Sequence, residues 1–205
     1  MKCIYNKRIW ILIFFLPAIF IFQTVLAGGI KGKVGLEGTK NSGGVLVYIE
    51  HIDGKFSPPQ KHALMDQINL EFSPKVLPIL AGTSVDFLNS DSVLHNVFTP
   101  SDCAGNFNLG TWPRGQMRLH TFKDAGCFAT ILCDVHPEMQ AWIVVLQNPF
   151  FAQADEKGEY EIKNIPPGKY ELKVWYPFYK SVTKNITVKD SGTLMENFVL
   201  KRTGE

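Results

Sequence analysis

The sequence predicts an all-β protein, and three observations predict it. Helical periodicity is almost absent, short segments alternate apolar with polar residues, and clusters of Gly, Pro, Asn and Asp bound those segments. Strands are expected at 30–36, 45–52, 68–72, 84–88, 118–122 and 128–133. Further strands follow at 141–146, 160–162, 170–175, 182–188 and 194–200. Each is short and rich in β-branched and aromatic residues, which suit a pleated, half-buried surface. The connecting turns include Asp53-Gly54, Lys157-Gly158 and Pro166-Pro167-Gly168, where glycine permits a positive φ. Strand spacing of this kind suits sandwiches or barrels.

The N-terminus reads as an export signal. Lys2, Lys7 and Arg8 precede a 14-residue apolar run, residues 9–22, and then Val25 and Ala27 supply small residues before Gly28-Gly29. This order predicts a secretory signal cleaved after Ala27. The competing reading is an uncleaved anchor, but the run is shorter than the roughly 20 apolar residues of a spanning helix, and Pro17 interrupts it. Cleavage removes three cations and no acid, so the formal charge of +2 over 205 residues becomes −1 over 178. The product is expected to be periplasmic or secreted, with no membrane span. So balanced a charge argues against nucleic-acid binding, and 45% hydrophobic against 20% charged residues argues against disorder.

Two pieces of sequence resemble one family. Gly29-Ile30-Lys31-Gly32-Lys33-Val34 forms an opening strand, and Asp155-Glu156-Lys157-Gly158-Glu159-Tyr160 and Pro166-Pro167-Gly168-Lys169-Tyr170 form later turns. Together they resemble the carboxypeptidase regulatory-like (transthyretin-like, or prealbumin-like) β-sandwich. In that family the segments are close in sequence, whereas about 90 residues separate them here. Residues 63–149 are therefore expected to be a domain inserted into a sandwich made of 28–62 and 150–202, since exposed loops with adjacent ends tolerate insertion. The alternative is two unrelated end pieces flanking one domain.

Within the middle segment lies Cys133-Asp134-Val135-His136-Pro137-Glu138-Met139, and upstream is Leu94-His95-Asn96-Val97-Phe98 after the polar turn Asn89-Ser90-Asp91-Ser92. One thiolate, two imidazoles and a thioether make up a His2Cys set with a weak Met, which selects copper for electron transfer. Three of the donors share one seven-residue loop, and Pro137 stiffens it by fixing its own φ. Zinc is the rival metal, but Met serves it poorly and structural zinc prefers four Cys or His.

The C-x2-H-x2-M loop resembles that of the cupredoxins, the small blue copper proteins, and specifically the short amicyanin type. The text "VLHNVF…FNLGTW…LCDVHPEM" is also similar to cupredoxin-like proteins labelled as methylamine-utilisation-like. The resemblance covers roughly residues 62–149 and implies a Greek-key β-sandwich holding one type 1 copper. It implies His95, Cys133 and His136 as equatorial ligands and Met139 as axial ligand. Asn96 falls on the family's asparagine that ties the two ligand loops and bonds near the ligand Cys. By the same resemblance, electrons pass through the exposed edge of His136, and Pro137 and Trp112 belong to a small docking patch for a transient redox partner.

Cys103 and Cys127 are expected to pair in an oxidising compartment, leaving Cys133 for the metal. The rival bridge, Cys127 to Cys133, spans six residues of one strand, too far for a disulfide. Cys3 leaves with the signal. His51, His120, and His62 with nearby Met65 suit surface or structural roles better than metal contacts.

The leading function is an exported electron carrier. The alternatives are an envelope module, binding a protein or glycan through the flanking sandwich and carrying a copper domain, and a copper delivery or storage protein. Enzyme chemistry ranks last, because four protein ligands leave no ready open position.

Overall fold

The computed structural model describes residues 27–204. The expected export signal therefore lies outside the described residues. The described part of the chain is all-β, as the alternation predicts, apart from a single 3-10 turn at Asp102–Ala104. No helix among the described residues is long and apolar enough to cross a membrane.

In chain order the strands begin with β1 (Gly28–Leu36), β2 (Leu46–Ile49), β3 (Ala63–Ile68), β4 (Glu71–Ser73), β5 (Val76–Leu80) and β6 (Thr83–Asn89). Next come β7 (His95–Phe98), β8 (Asn108–Trp112), β9 (Met117–Phe122), β10 (Phe128–Leu132) and β11 (Gln140–Leu146). The last are β12 (Phe151–Gln153), β13 (Glu159–Ile165), β14 (Gly168–Trp175), β15 (Val182–Val188), β16 (Thr193–Met195) and β17 (Phe198–Leu200).

They form four sheets. Two are ordered β13-β1-β16, with β17 also on β1, and β12-β2-β14-β15. These close over a core that includes Ile30, Val47, Ile49, Ile162, Leu172 and Leu200. The other two, β5-β11-β10-β7-β8 and β4-β3-β6-β9, enclose Met65, Phe87, Trp112, Ile131 and Ile143. A third apolar cluster of Leu46, Tyr48, Val76, Val144 and Leu146 packs β2 against β5 and β11. Apolar side chains on both faces of β11 explain its unbroken hydrophobic run: one face serves the second core and the other this junction.

The flanking sheets depend on close backbone approach. Gly158 has φ +82°, and a Cβ there would lie 2.0 Å from the Val34 carbonyl oxygen. The Val34 amide donates to the Gly158 carbonyl at 2.8 Å, so only glycine fits this turn against β1.

The structure departs from the expected strands at three kinds of place. Residues 68–72 are not one strand but a hairpin, with Ile68 opposite Glu71 and Gln67 opposite Phe72. Asn69 and Leu70 both hold positive φ (58° and 60°), the signature of a type I′ turn, which Asn favours and Leu normally avoids. The expected strand at 194–200 divides into β16 and β17, because Glu196 and Asn197 turn polar groups toward β1. The Glu196 amide donates to the Lys31 carbonyl, and Asn197 Oδ1 accepts from the Lys33 amide. Strands β5, β7, β8 and β12, and most of β3, go beyond the expected set. β5 carries Pro78 and ends its sheet, where a missing N–H costs least; β8 contains Gly110, and β12 has only three residues.

Candidate metal centre

The candidate site lies where β7, β10 and the loop between β10 and β11 meet. β10 pairs with β11 along its length and with β7 at Leu132–Phe98, which brings His95 beside the loop that follows Leu132. His95, Cys133 and His136 converge there, and their donor atoms all lie within 4.8 Å of one another. His95 Nδ1 and His136 Nδ1 are 3.0 Å apart, and Cys133 Sγ stands 3.9 Å from the first and 4.0 Å from the second. Cys133 is the free cysteine among the described residues. Cys103 and Cys127 are bridged, as expected.

These separations and the donor types test which ion the set fits. With metal–nitrogen bonds of about 2.0–2.1 Å and a metal–sulfur bond of about 2.3 Å, two imidazole nitrogens and one sulfur this close together could all reach a single ion. A set of two imidazoles and one soft sulfur fits copper, whereas structural zinc takes four Cys or His and the cluster among the described residues holds three. Met139 is buried at the end of the ligand loop, and its amide donates to the His136 carbonyl at 2.9 Å, closing the turn. Exposed Pro137 occupies that turn and supplies its fixed φ.

His95 is fully buried and oriented by a residue to which the sequence reading gave no role. Its Nε2 lies 2.8 Å from Asp91 Oδ2. A carboxylate only accepts, so the ring proton sits on Nε2 and Nδ1 presents its lone pair to the site. The same carboxylate accepts from the Asn69 amide at 2.7 Å and the Leu70 amide at 3.0 Å, clamping the strained hairpin turn. Burial pushes the Asp91 carboxyl up. The Leu70 amide, the His95 ring and the Asn69 amide together outweigh it and hold the group below the usual carboxylate range. The legible signal was a carboxylate four residues ahead of a candidate ligand.

Asn96, on the strand of His95, bonds the segment of Cys133. Its amide donates to Cys133 Sγ at 3.4 Å, and Oδ1 accepts from the Asp134 amide at 3.3 Å. Its Nδ2 donates to Asn108 Oδ1 at 2.8 Å and to the Gly110 carbonyl at 2.9 Å. Gly110 takes φ +76° in this strand, which aims that carbonyl at Asn96.

The expected docking patch needs correction. Trp112 is fully buried: it pairs with His95 across β7 and β8, its ring faces the core, and Arg118 covers it at 5.3 Å. The exposed apolar residues in the segments that carry the candidate ligands are instead Val93 and Leu94 ahead of His95, and Val135 and Pro137 on either side of half-buried His136. The other histidines lie outside the cluster. His62 pairs with Asp86 at 3.1 Å, Met65 is buried in the core, exposed His51 faces Asp53, and His120 bonds the Ala104 carbonyl.

Comparisons with known proteins give a mixed picture. The family model of the carboxypeptidase regulatory-like domain matches residues 140–201. A search of curated proteins finds no sequence match. Among solved structures, a reduced amicyanin variant is similar over 43% of this chain and 91% of its own, at 23% identity and TM-score 0.40. A second reduced variant of amicyanin covers 48% and 97%, at 22% identity and TM-score 0.39. A purple cupredoxin from Nitrosopumilus maritimus covers 40% and 98%, at 26% identity and TM-score 0.37.

Proposed function

We propose that this chain is an exported one-electron carrier that holds a single type 1 copper ion between His95, Cys133 and His136, with Met139 as the axial donor. The observation that carries this reading is the convergence of two imidazole nitrogens and one cysteine sulfur, all within 4.8 Å of one another. When bound, copper supplies a Cu(II)/Cu(I) couple.

The residues hold one geometry for both oxidation states. Asp91 fixes the His95 ring, Asn96 ties the two ligand-bearing segments, and the Pro137 turn restrains His136, so little rearrangement accompanies turnover. His136 is the half-buried member of the set and gives the electron its shortest path to solvent. Val135 and Pro137, exposed on either side of it in the chain, offer a small apolar surface, suited to a weak, transient encounter with a redox protein. The chain acts as a carrier rather than an enzyme.

The test is voltammetry of the copper-loaded protein combined with a chelator challenge. A reversible one-electron wave and slow copper loss support the carrier. Rapid loss to the chelator without a reversible wave supports delivery or storage.

One observation favours a second role alongside the first, an envelope binding module. A cleft of about 900 Å³, lined by Trp142 of β11 and by Tyr176, Phe178 and Tyr179 after β14, opens at the junction of the sheets. Binding of envelope glycans or proteins that is lost in Tyr179→Ala but retained in Cys133→Ser would establish it.

A further inference from the structure

We infer that Gln67 is a positioning residue for the candidate metal centre: reaching across from the opposite sheet, it holds the Asn96 backbone that donates a hydrogen bond to the Cys133 sulfur. This rests on the copper reading above and extends it to a residue outside the ligand loops.

Gln67 lies on β3, in the sheet that supplies none of the candidate ligands, and is fully buried. Its Nε2 donates to the Asn96 carbonyl at 3.1 Å. That carbonyl stands at an irregularity in the ladder, because the β7–β8 register shifts between Asn96 and Phe98. The Gln67 amide therefore bonds an oxygen at the one break in this pairing. Every polar atom of Asn96 is then held: the amide on Sγ, the carbonyl by Gln67, Oδ1 by the Asp134 amide, and Nδ2 on Asn108 and Gly110.

Gln67 Oε1, by contrast, is buried without a hydrogen-bond partner. A buried unpaired acceptor costs free energy, so satisfying its own amide does not account for glutamine here. The bond that the side chain makes is the one that fixes the bulge. Its consequence falls on the sulfur. An N–H aimed at a thiolate withdraws electron density from it and favours the reduced ion, so loosening that N–H favours the oxidised ion.

The experiment uses the full exported chain and compares the parent with Gln67→Met, which keeps the length of the side chain and removes the donor. Thr83→Val serves as the control, since Thr83 is equally buried, has an unpaired hydroxyl and lies at the far end of β6. The expected result for Gln67→Met is a shift of the oxidised–reduced equilibrium by roughly threefold to tenfold toward the oxidised form, up to about 59 mV lower in potential. In the metal-free variant, the Asn96 amide should also exchange faster with solvent and move in the NMR spectrum. Thr83→Val should change neither. If Gln67→Met does not fold, Gln67→Asn tests the same bond, because it keeps the amide but withdraws it by one methylene.

An unchanged potential and an unchanged Asn96 amide in a folded Gln67 variant would overturn the inference. Failure of the parent to bind copper with a thiolate charge-transfer band would instead overturn the copper reading. In that case the metal-free amide measurement still decides whether Gln67 holds Asn96.

Discussion

Asn96→Ala removes three side-chain hydrogen bonds and leaves the backbone bond to Cys133 Sγ in place. At about 0.5–1.5 kcal/mol net for each bond, the loss spans about 1.5–4.5 kcal/mol. The partners decide where in that range it falls. Asp134, Asn108 and Gly110 are all exposed, so water can replace Asn96 at each of them, and the lower half of the range, about 1.5–3 kcal/mol, is expected. Urea unfolding of the metal-free protein should show a lower midpoint at constant slope. Asn96→Asp sharpens the test. It keeps an oxygen for the Asp134 amide but turns a second oxygen toward the Gly110 carbonyl, which can only accept. It should therefore be no more stable than Asn96→Ala at neutral pH. A loss below about 0.5 kcal/mol in the alanine variant, or full stability in the aspartate variant, would show that these bonds do not join the two segments.

Three further outcomes are expected. Replacing both Cys103 and Cys127 by Ser opens a loop of 24-residue separation. On the chain-entropy account this should cost about 3.5 kcal/mol by denaturant unfolding while the Cys133 spectrum persists. Asp91→Ala frees the His95 ring and the Asn69–Leu70 turn, and should weaken copper binding by about 10- to 100-fold in competition titrations. Burial, helped by the Lys123 charge and opposed by the Ala104 carbonyl, holds the His120 ring below the usual histidine range. The unfolded chain then takes up that proton first, so stability is complete above about pH 6.5 and declines as pH falls below it. His120→Gln should flatten that decline in pH-dependent unfolding, and an unchanged slope would refute the assignment.

Cys133 and His136, two members of the cluster, were legible because they share one loop and their chemistry is carried by residue type and spacing. The Cys103–Cys127 bridge was legible by counting thiols. Long-range polar contacts were not. Asp91 gathers two amides from a hairpin 21 and 22 residues away as well as His95, and nothing in local alternation announces such a clamp. The hairpin itself was missed because Leu70 occupies a positive-φ position that Gly or Asn usually fills, a strain the Asp91 carboxylate offsets through the Leu70 amide. Trp112 was misplaced on the surface for a related reason. An aromatic beside a ligand strand reads equally well as patch or core, and only the Arg118 guanidinium over its ring and the opposite sheet decide for the core. Strand β5 was obscured by Pro78, whose missing amide matters little at a sheet edge.

The most direct test of the central claim is the visible absorption spectrum of residues 28–205 with one equivalent of Cu(II). The account predicts an intense thiolate-to-copper charge-transfer band that disappears on reduction and is absent in Cys133→Ser. A colourless Cu(II)-loaded protein, or a band that survives Cys133→Ser, would contradict it.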